Sequence, residues 1–236
     1  MTYAENNLIL YLTYLIYNIK CIKDIRNTRM LVDEIRKQYK EAEPIFVNDL
    51  KTDDISRPAL TQQLGTLCRN HVIEKFDNGI YYIPKKSRLQ NSVGPSADTI
   101  ARYKYVTDGK TVKGFYSGYT FANQLGITTQ VPARVEIVSN NTSAIVREVV
   151  IGKQRFIVRK PAVKINADNV YVLQLLDILK DFDKYSEESY ESAGEKVREF
   201  LKSHGIRKED IDRYLRKYPA SVFRYYYELE MKNVFT

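Results

Sequence analysis

Between Asp24 and Lys40 the apolar side chains Ile25, Leu31, Val32, Ile35 and Tyr39 recur with charges between them, the spacing of an amphipathic helix. Glu43-Pro44 stops that pattern, and Ile45-Phe46-Val47 is a short apolar run suited to a brief strand. Asn48-Asp49-Leu50 opens a short helical turn and Thr52-Asp53-Asp54 reads as a loop. Ser56 is then placed as an N-cap, with Pro58 in the first turn, where its missing N–H costs nothing. From there Leu60, Leu64, Leu67 and His71 fall on one face of a helix. The opposite face carries Pro58, Gln62, Gly65, Thr66 and Arg69, with Thr61 at its margin. Directly afterwards EKFDNGIYYIP, Glu74 to Pro84, predicts a hairpin: aromatic and β-branched residues flank an Asp-Asn-Gly turn.

The order helix, short strand, helical turn, helix, hairpin is that of a winged helix-turn-helix spanning residues 25–90. In that arrangement the helix from Arg57 to Asn70 enters the major groove. Arg57, Thr61, Gln62, Thr66 and Arg69 are the candidate groove readers, since Arg, Thr and Gln hydrogen-bond base edges or phosphates. Lys75, Asn78, Lys85, Lys86 and Arg88 are candidate phosphate contacts from the wing. Small winged modules also serve as protein-interaction domains, and this outward face holds only two arginines.

Ser87 to Ser96 has the Asn, Gly, Pro and Ser content of a linker, so a boundary is expected near residue 90, with a second domain over 91–236. That half begins with a helix from Ala97 to Val106 and a turn at Asp108-Gly109. A helix around Tyr119–Leu125 follows, ended by Gly126. Strands are expected at Arg134–Ser139, Ala144–Ile151 and Arg155–Arg159, the last two joined at Gly152-Lys153. Arg147, Lys153, Arg155, Arg159 and Lys160 make this a basic hairpin, a candidate second surface for a polyanion, either operator DNA or RNA. The rest is helical, marked by Val170–Leu179, then Val197, Phe200 and Leu201, then Ile211, Tyr214 and Leu215, then Val222–Met231. Tyr225, Tyr226 and Tyr227 are read as core before base-stacking groups.

The formal charge of +8 sharpens this picture through its distribution. Residues 93–164 hold 11 Lys and Arg against 4 Asp and Glu, whereas residues 165–236 hold 12 against 14. A regional positive field suits a polyanionic partner. Cys21 and Cys68 cannot build a disulfide framework, and a reducing, cytoplasmic setting with no membrane association is the default. The charge-free stretch from Asn6 to Ile19 is too short to span a bilayer, which needs about 20 apolar residues. It also lacks the features of a signal peptide. Residues 1–24 are therefore an N-terminal extension with two readings: a helix buried on this chain or a second copy, or leader sequence ahead of a start at Met30.

Catalysis finds little support. A metal-dependent nuclease needs clustered carboxylates near a lysine. Asp98, Asp108, Glu136 and Glu148 lack that grouping, and Glu136 and Glu148 are expected in salt bridges. GFYSGYTF has no Walker lysine, and the sequence places no His or Asp beside Ser117. His71 reads as a core or boundary residue. No cofactor or metal is expected.

Three segments, FDNGIYYIPKKSR, GYTFANQLGITTQVP and NVYVLQLLDILKDFDKY, together resemble the AbiEi-type antitoxins of bacterial abortive-infection (AbiE, type IV) toxin–antitoxin systems. The resemblance covers roughly residues 25–230. Gly118 to Pro132 is its most specific part, the wing is more widely shared, and the first 24 residues depart from the pattern. It implies an α+β protein: an N-terminal winged helix-turn-helix, then a C-terminal α/β antitoxin domain with a small, mostly antiparallel sheet and several helices. It also implies a repressor that binds promoter repeats of its own operon; were those repeats inverted, docking geometry would favour two copies per site. The same protein would counteract a nucleotidyltransferase toxin without a stable complex. Two rivals remain: a nuclease acting in phage defence, and a protein-binding module that sequesters the toxin directly.

Overall fold

A computed structural model describes residues 27–50, 55–86 and 93–234. The expected N-terminal extension, the Thr52-Asp53-Asp54 loop, Cys21, Arg88 and most of the linker lie outside the described residues. The chain divides into two compact units, residues 1–96 and 97–236. The division falls after Ser96 rather than near residue 90. Val93 still pairs with Lys85 across an antiparallel bridge, and Gly94 sits so close to the Tyr82 ring that a Cβ there would lie 2.6 Å from it.

In the first unit, helix α1 (27–38) buries Leu31 and Ile35. Strand β1 (Pro44–Phe46) leads through a 3-10 turn, Val47–Asp49, to helix α2 (Arg57–Arg69). Strands β2 (Glu74–Asp77) and β3 (Ile80–Tyr82) form the expected hairpin. The sheet order is β1-β3-β2, antiparallel throughout, with Ile45 opposite Tyr81. β3 is therefore the central strand, which explains why Ile80, Tyr81 and Tyr82 are all buried while β2 alternates. Leu60, Leu64 and Leu67 of α2 pack with Leu31, Ile35, Ile45 and Ile73 into one core. Burying each such side chain stabilises the unit by about 1.5–3 kcal/mol.

One expectation about α2 holds by position only, and a second needs correction. Ser56 stands at the N-cap in extended geometry, yet its hydroxyl makes no capping bond. His71 is exposed and off the helix, with φ 54°. The reason lies in the helix end: Val72 N–H donates to Leu67 O and His71 N–H to Cys68 O, the paired bonds of a Schellman motif. That motif requires a left-handed residue after the cap, a place His71 fills where glycine is the usual occupant.

The second unit opens with α3 (Ala97–Ala101), which widens into a π turn over Arg102–Val106 instead of continuing as the single helix expected. Strand β4 (Gly114–Ser117) and helix α4 (Gly118–Leu125) follow without a break. β5 (Val135–Ser139), β6 (Val146–Ile151) and β7 (Gln154–Arg159) complete a sheet of order β4-β5-β7-β6. Only β5 and β7 run parallel. Gly114 has no room for a side chain: a Cβ would lie 2.3 Å from the carbonyls of both Tyr105 and Val138. Both faces of the sheet carry helical packing, although the edge strand β6 leaves Val146 and Val150 exposed. The π turn lies on one, where Tyr105 meets Arg147 and Ser139. On the other is α5 (Val170–Ile178), whose Val170 and Leu173 pack with Phe115 and Val138.

Beyond α5, helices α6 (Phe182–Tyr185), α7 (Tyr190–Ser203), α8 (Lys208–Leu215) and α9 (Ala220–Glu228) gather around Leu176, Phe182, Val197, Leu201, Ile211 and Val222. Tyr225 and Tyr226 belong to this core, whereas Tyr227 is exposed. Both units mix helices with a small sheet, so the fold is α+β. Among the described residues no helix is long and apolar enough to cross a membrane.

Candidate nucleic-acid interface

Helix α2 turns its leucines inward, and this forces its polar positions out. Arg57, Thr61, Gln62 and Arg69 are exposed and Thr66 is half-buried. Gln63, unremarked in the sequence pattern, is instead buried beside the leucines. The outward side chains are tied only locally. Thr61 Oγ1 donates to Arg57 O at 2.9 Å and Thr66 Oγ1 to Gln62 O at 3.1 Å, each spending its one proton on its own helix. Both hydroxyls keep acceptor capacity toward an outside donor. Arg69 Nη2 donates to Thr66 Oγ1 and Arg57 Nη2 to Asn48 Oδ1, leaving most of each guanidinium's five donors unspent. The Gln62 amide makes no protein hydrogen bond among the described residues.

The hairpin is held to α2 through the shared core, in which Ile73 and Tyr81 touch the inner face of the helix. At its tip only Gly79 enters the left-handed region, φ 72°. Lys75 Nζ donates to Asn78 Oδ1 at 3.0 Å, and Asn78 N–H to Asp77 Oδ1 at 2.7 Å. The pairing slips between Lys75 and Asp77, a bulge that adds twist to the strand. Lys75, Asn78, Lys85 and Lys86 are all exposed. Burial raises the Cys68 thiol above its usual range, so it stays protonated and neutral beside this face.

The second basic set fares differently, because a strand alternates its side chains between two faces. Arg147 points to the π-turn face, where Nη2 donates to Tyr105 Oη at 3.0 Å. Arg159 points to the α5 face, and Nη2 donates to Asp177 Oδ2 at 2.9 Å and to Ser117 Oγ at 2.8 Å. Arg155 faces Glu148 at 3.5 Å, and only Lys153 and Lys160 are simply exposed. The hairpin therefore does not present these five cations as one surface. Glu136 and Glu148 are both salt-bridged, to Arg159 and to Arg134 and Arg155 respectively.

Sequence reasoning also missed a buried charge cluster. Asp177, 6 % exposed, accepts from Ser117 Oγ at 2.5 Å and is paired with Arg159 and Lys180. Burial alone would push its carboxyl up, but Arg159 and Lys180 hold it below the usual carboxylate range. Ser117 thus has an aspartate partner after all, contributed from 60 positions further along. One signal pointed to it: Asp177 interrupts a run of α5 that is apolar but for Gln174, and a carboxylate in such a run must find a cation.

Residues 31–210 match the sequence profile of a family of unknown function, DUF6088. The chain belongs to that family. No curated protein matches it. The DUF6088 match takes in α2, the hairpin and the whole sheet of the second unit, so both candidate basic regions are within it.

Proposed function

We propose that this protein is a DNA-binding transcriptional repressor whose first unit is a winged helix-turn-helix, with α2 in the major groove and the β2–β3 hairpin as the wing. The observation that carries the reading is the outward face of α2. Arg57, Thr61, Gln62 and Arg69 are exposed there, with most of their hydrogen-bonding capacity unspent, on a helix whose other side is locked into a core. The sheet order β1-β3-β2, with a lysine-bearing hairpin following the helix, supports the same assignment. Phosphate contacts supply most of the affinity in such complexes and base contacts the selectivity. In this reading Lys75, Lys85 and Lys86 fix register while Gln62 and Arg69 read sequence.

The likeness of FDNGIYYIPKKSR, GYTFANQLGITTQVP and NVYVLQLLDILKDFDKY to AbiEi-type antitoxins extends the proposal. The repressor acts on its own operon and counteracts a nucleotidyltransferase toxin encoded beside it, with the second unit as the antitoxin part. Binding of the purified protein to its own upstream promoter fragment and to a scrambled fragment, across a salt series, tests the first half. Promoter-selective binding that weakens with salt is expected; equal binding to both fragments would overturn the groove-reading assignment. Co-expression with the neighbouring nucleotidyltransferase gene tests the second half. Growth is expected to be rescued by the second unit's presence, and continued arrest would overturn it.

A further inference from the structure

In the second unit a cavity of about 370 Å³ opens between the sheet and the helical layer, a size within the range of small-ligand pockets. Four cations line it: Arg159 from the end of β7, Lys160 from the next position, Lys180 after α5 and Lys217 after α8. The single carboxylate in the lining is Asp177, and it is already consumed. Oδ2 accepts from Ser117 and Arg159, and Oδ1 is paired with Lys180. Arg159 is fixed by Asp177, Ser117 and Glu136 through Nη2 and Nε, leaving Nη1 without a protein hydrogen bond among the described residues. Lys160 and Lys217 have no ion-pair partner among the described residues, although the chain brings them together from positions 57 apart. Its accessible apolar lining is Ile145, Tyr218 and Pro219, while Phe115 and Leu173 form a buried floor.

A pocket with two uncompensated cations, a pre-oriented guanidinium and accessible apolar side chains suits an anionic group attached to a weakly polar body. We infer that this cavity binds a nucleoside 5′-monophosphate group, with Arg159, Lys160 and Lys217 on the phosphate and Ile145, Tyr218 and Pro219 against the base. Charge-assisted bonds to phosphate oxygens are the strong kind, and low-dielectric walls focus the field of the lysines. The group arrives either as a free nucleotide or as the 5′ end of an RNA. The inference is independent of the first unit and of DNA binding.

Titration calorimetry on the full chain with AMP, adenosine, inorganic phosphate and 5′-phosphorylated or 5′-hydroxyl RNA trinucleotides tests it. Saturable binding of AMP is expected, with adenosine at least about tenfold weaker, as loss of charged hydrogen bonds implies. Lys160→Gln with Lys217→Gln should weaken AMP by at least about tenfold, whereas the charge-matched pair Lys110→Gln with Lys202→Gln should not. All four lysines are exposed, so the fold is not at stake. AMP binding in preference to the trinucleotides assigns the cavity to free nucleotides. Preference for the 5′-phosphorylated over the 5′-hydroxyl trinucleotide assigns it to an RNA end. Phosphate binding as tightly as AMP would overturn the nucleoside part. No binding of AMP, or equal weakening by both lysine pairs, would overturn the site.

Discussion

Helix α2 and the β6–β7 hairpin are both polar-and-basic segments laid over an apolar inner face, yet they dispose of their charges in opposite ways. On α2 the i, i+4 spacing collects Arg57, Thr61 and Arg69 on the side away from Leu60, Leu64 and Leu67, so what is not core is presented to solvent together. On the hairpin, alternation sends Arg147 to one face, against the π turn, and Arg159 to the other, against Asp177 of α5. The same residue type thus ends as an unspent donor in one unit and as a buried counter-ion in the other. Composition along a stretch reports how much charge it carries; the period of the backbone decides whether that charge is offered or absorbed.

Substitutions should separate the two roles, and the largest effect is expected where charge is absorbed. Asp177→Ala leaves the Arg159 guanidinium buried without its main partner, and should destabilise the second unit by about 3–5 kcal/mol, read from its urea unfolding midpoint. Arg57→Ala and Arg69→Ala should each change stability by less than about 0.5 kcal/mol. A large loss in the arginine variants, or none in Asp177→Ala, would break the comparison.

Binding should show the reverse ranking. Arg69→Ala is expected to weaken promoter binding by about 1–3 kcal/mol with little effect on scrambled DNA. Lys86→Ala should lower affinity on both fragments alike and reduce the salt slope by about 1. Unchanged promoter affinity in Arg69→Ala would remove α2 from the groove.

The absorbed charges also predict a pH response. For Asp108, burial works against ionisation, but Lys113 at 2.7 Å and the N–H groups of Thr111 and Lys110 bring its carboxyl down to about 2. Asp177 is likewise depressed. Both groups have folded-state values below the unfolded ones. The stability they supply is therefore complete above about pH 4 and is lost as pH falls through the folded values. Urea midpoints of the second unit measured from pH 5 to 2 should fall steadily, and the slope should shrink in Asp108→Asn.

Smaller effects probe the ends of helices. His71→Gly should raise the stability of the first unit by about 0.5–1 kcal/mol, because glycine takes the left-handed Schellman position without the Cβ penalty. Gly126 and Gly205 already hold the equivalent places after α4 and α7, at φ 77° and 60°. Ser56→Ala should cost no more than a few tenths of a kcal/mol, since no capping bond is lost, whereas Ser189→Ala should cost about 1 kcal/mol by removing the bond from Ser192 N–H. Thermal or urea midpoints check all three.

How far these features could be read beforehand follows from the range of the interactions that make them. The α2 pattern, the Asn78-Gly79 turn and the Gly126 stop depend on neighbours within a few positions, and each element stands where the spacing put it. Strand β4 leaves no clear local signal, because GFYS is short and runs straight into a helix, and its strand character comes from pairing with β5. The fate of Arg159 depended on Asp177, and that of Arg147 on Tyr105, partners 18 and 42 positions away. His71 departs from the spacing because the helix ends two residues earlier, so its place on the apolar face never forms.

The distance from Ser117 to Asp177 has a consequence during synthesis. A chain made from its N-terminus at about 5–20 residues per second releases the first unit with every element of its core in hand, so that unit can fold while the rest is still being added. The second unit's sheet is different: until α5 has emerged, Arg159 and Glu136 wait beside an open layer with no Asp177 to close it. The Arg159–Asp177 pair can therefore close only after residue 177 has left the ribosome, later than every strand of the sheet it braces.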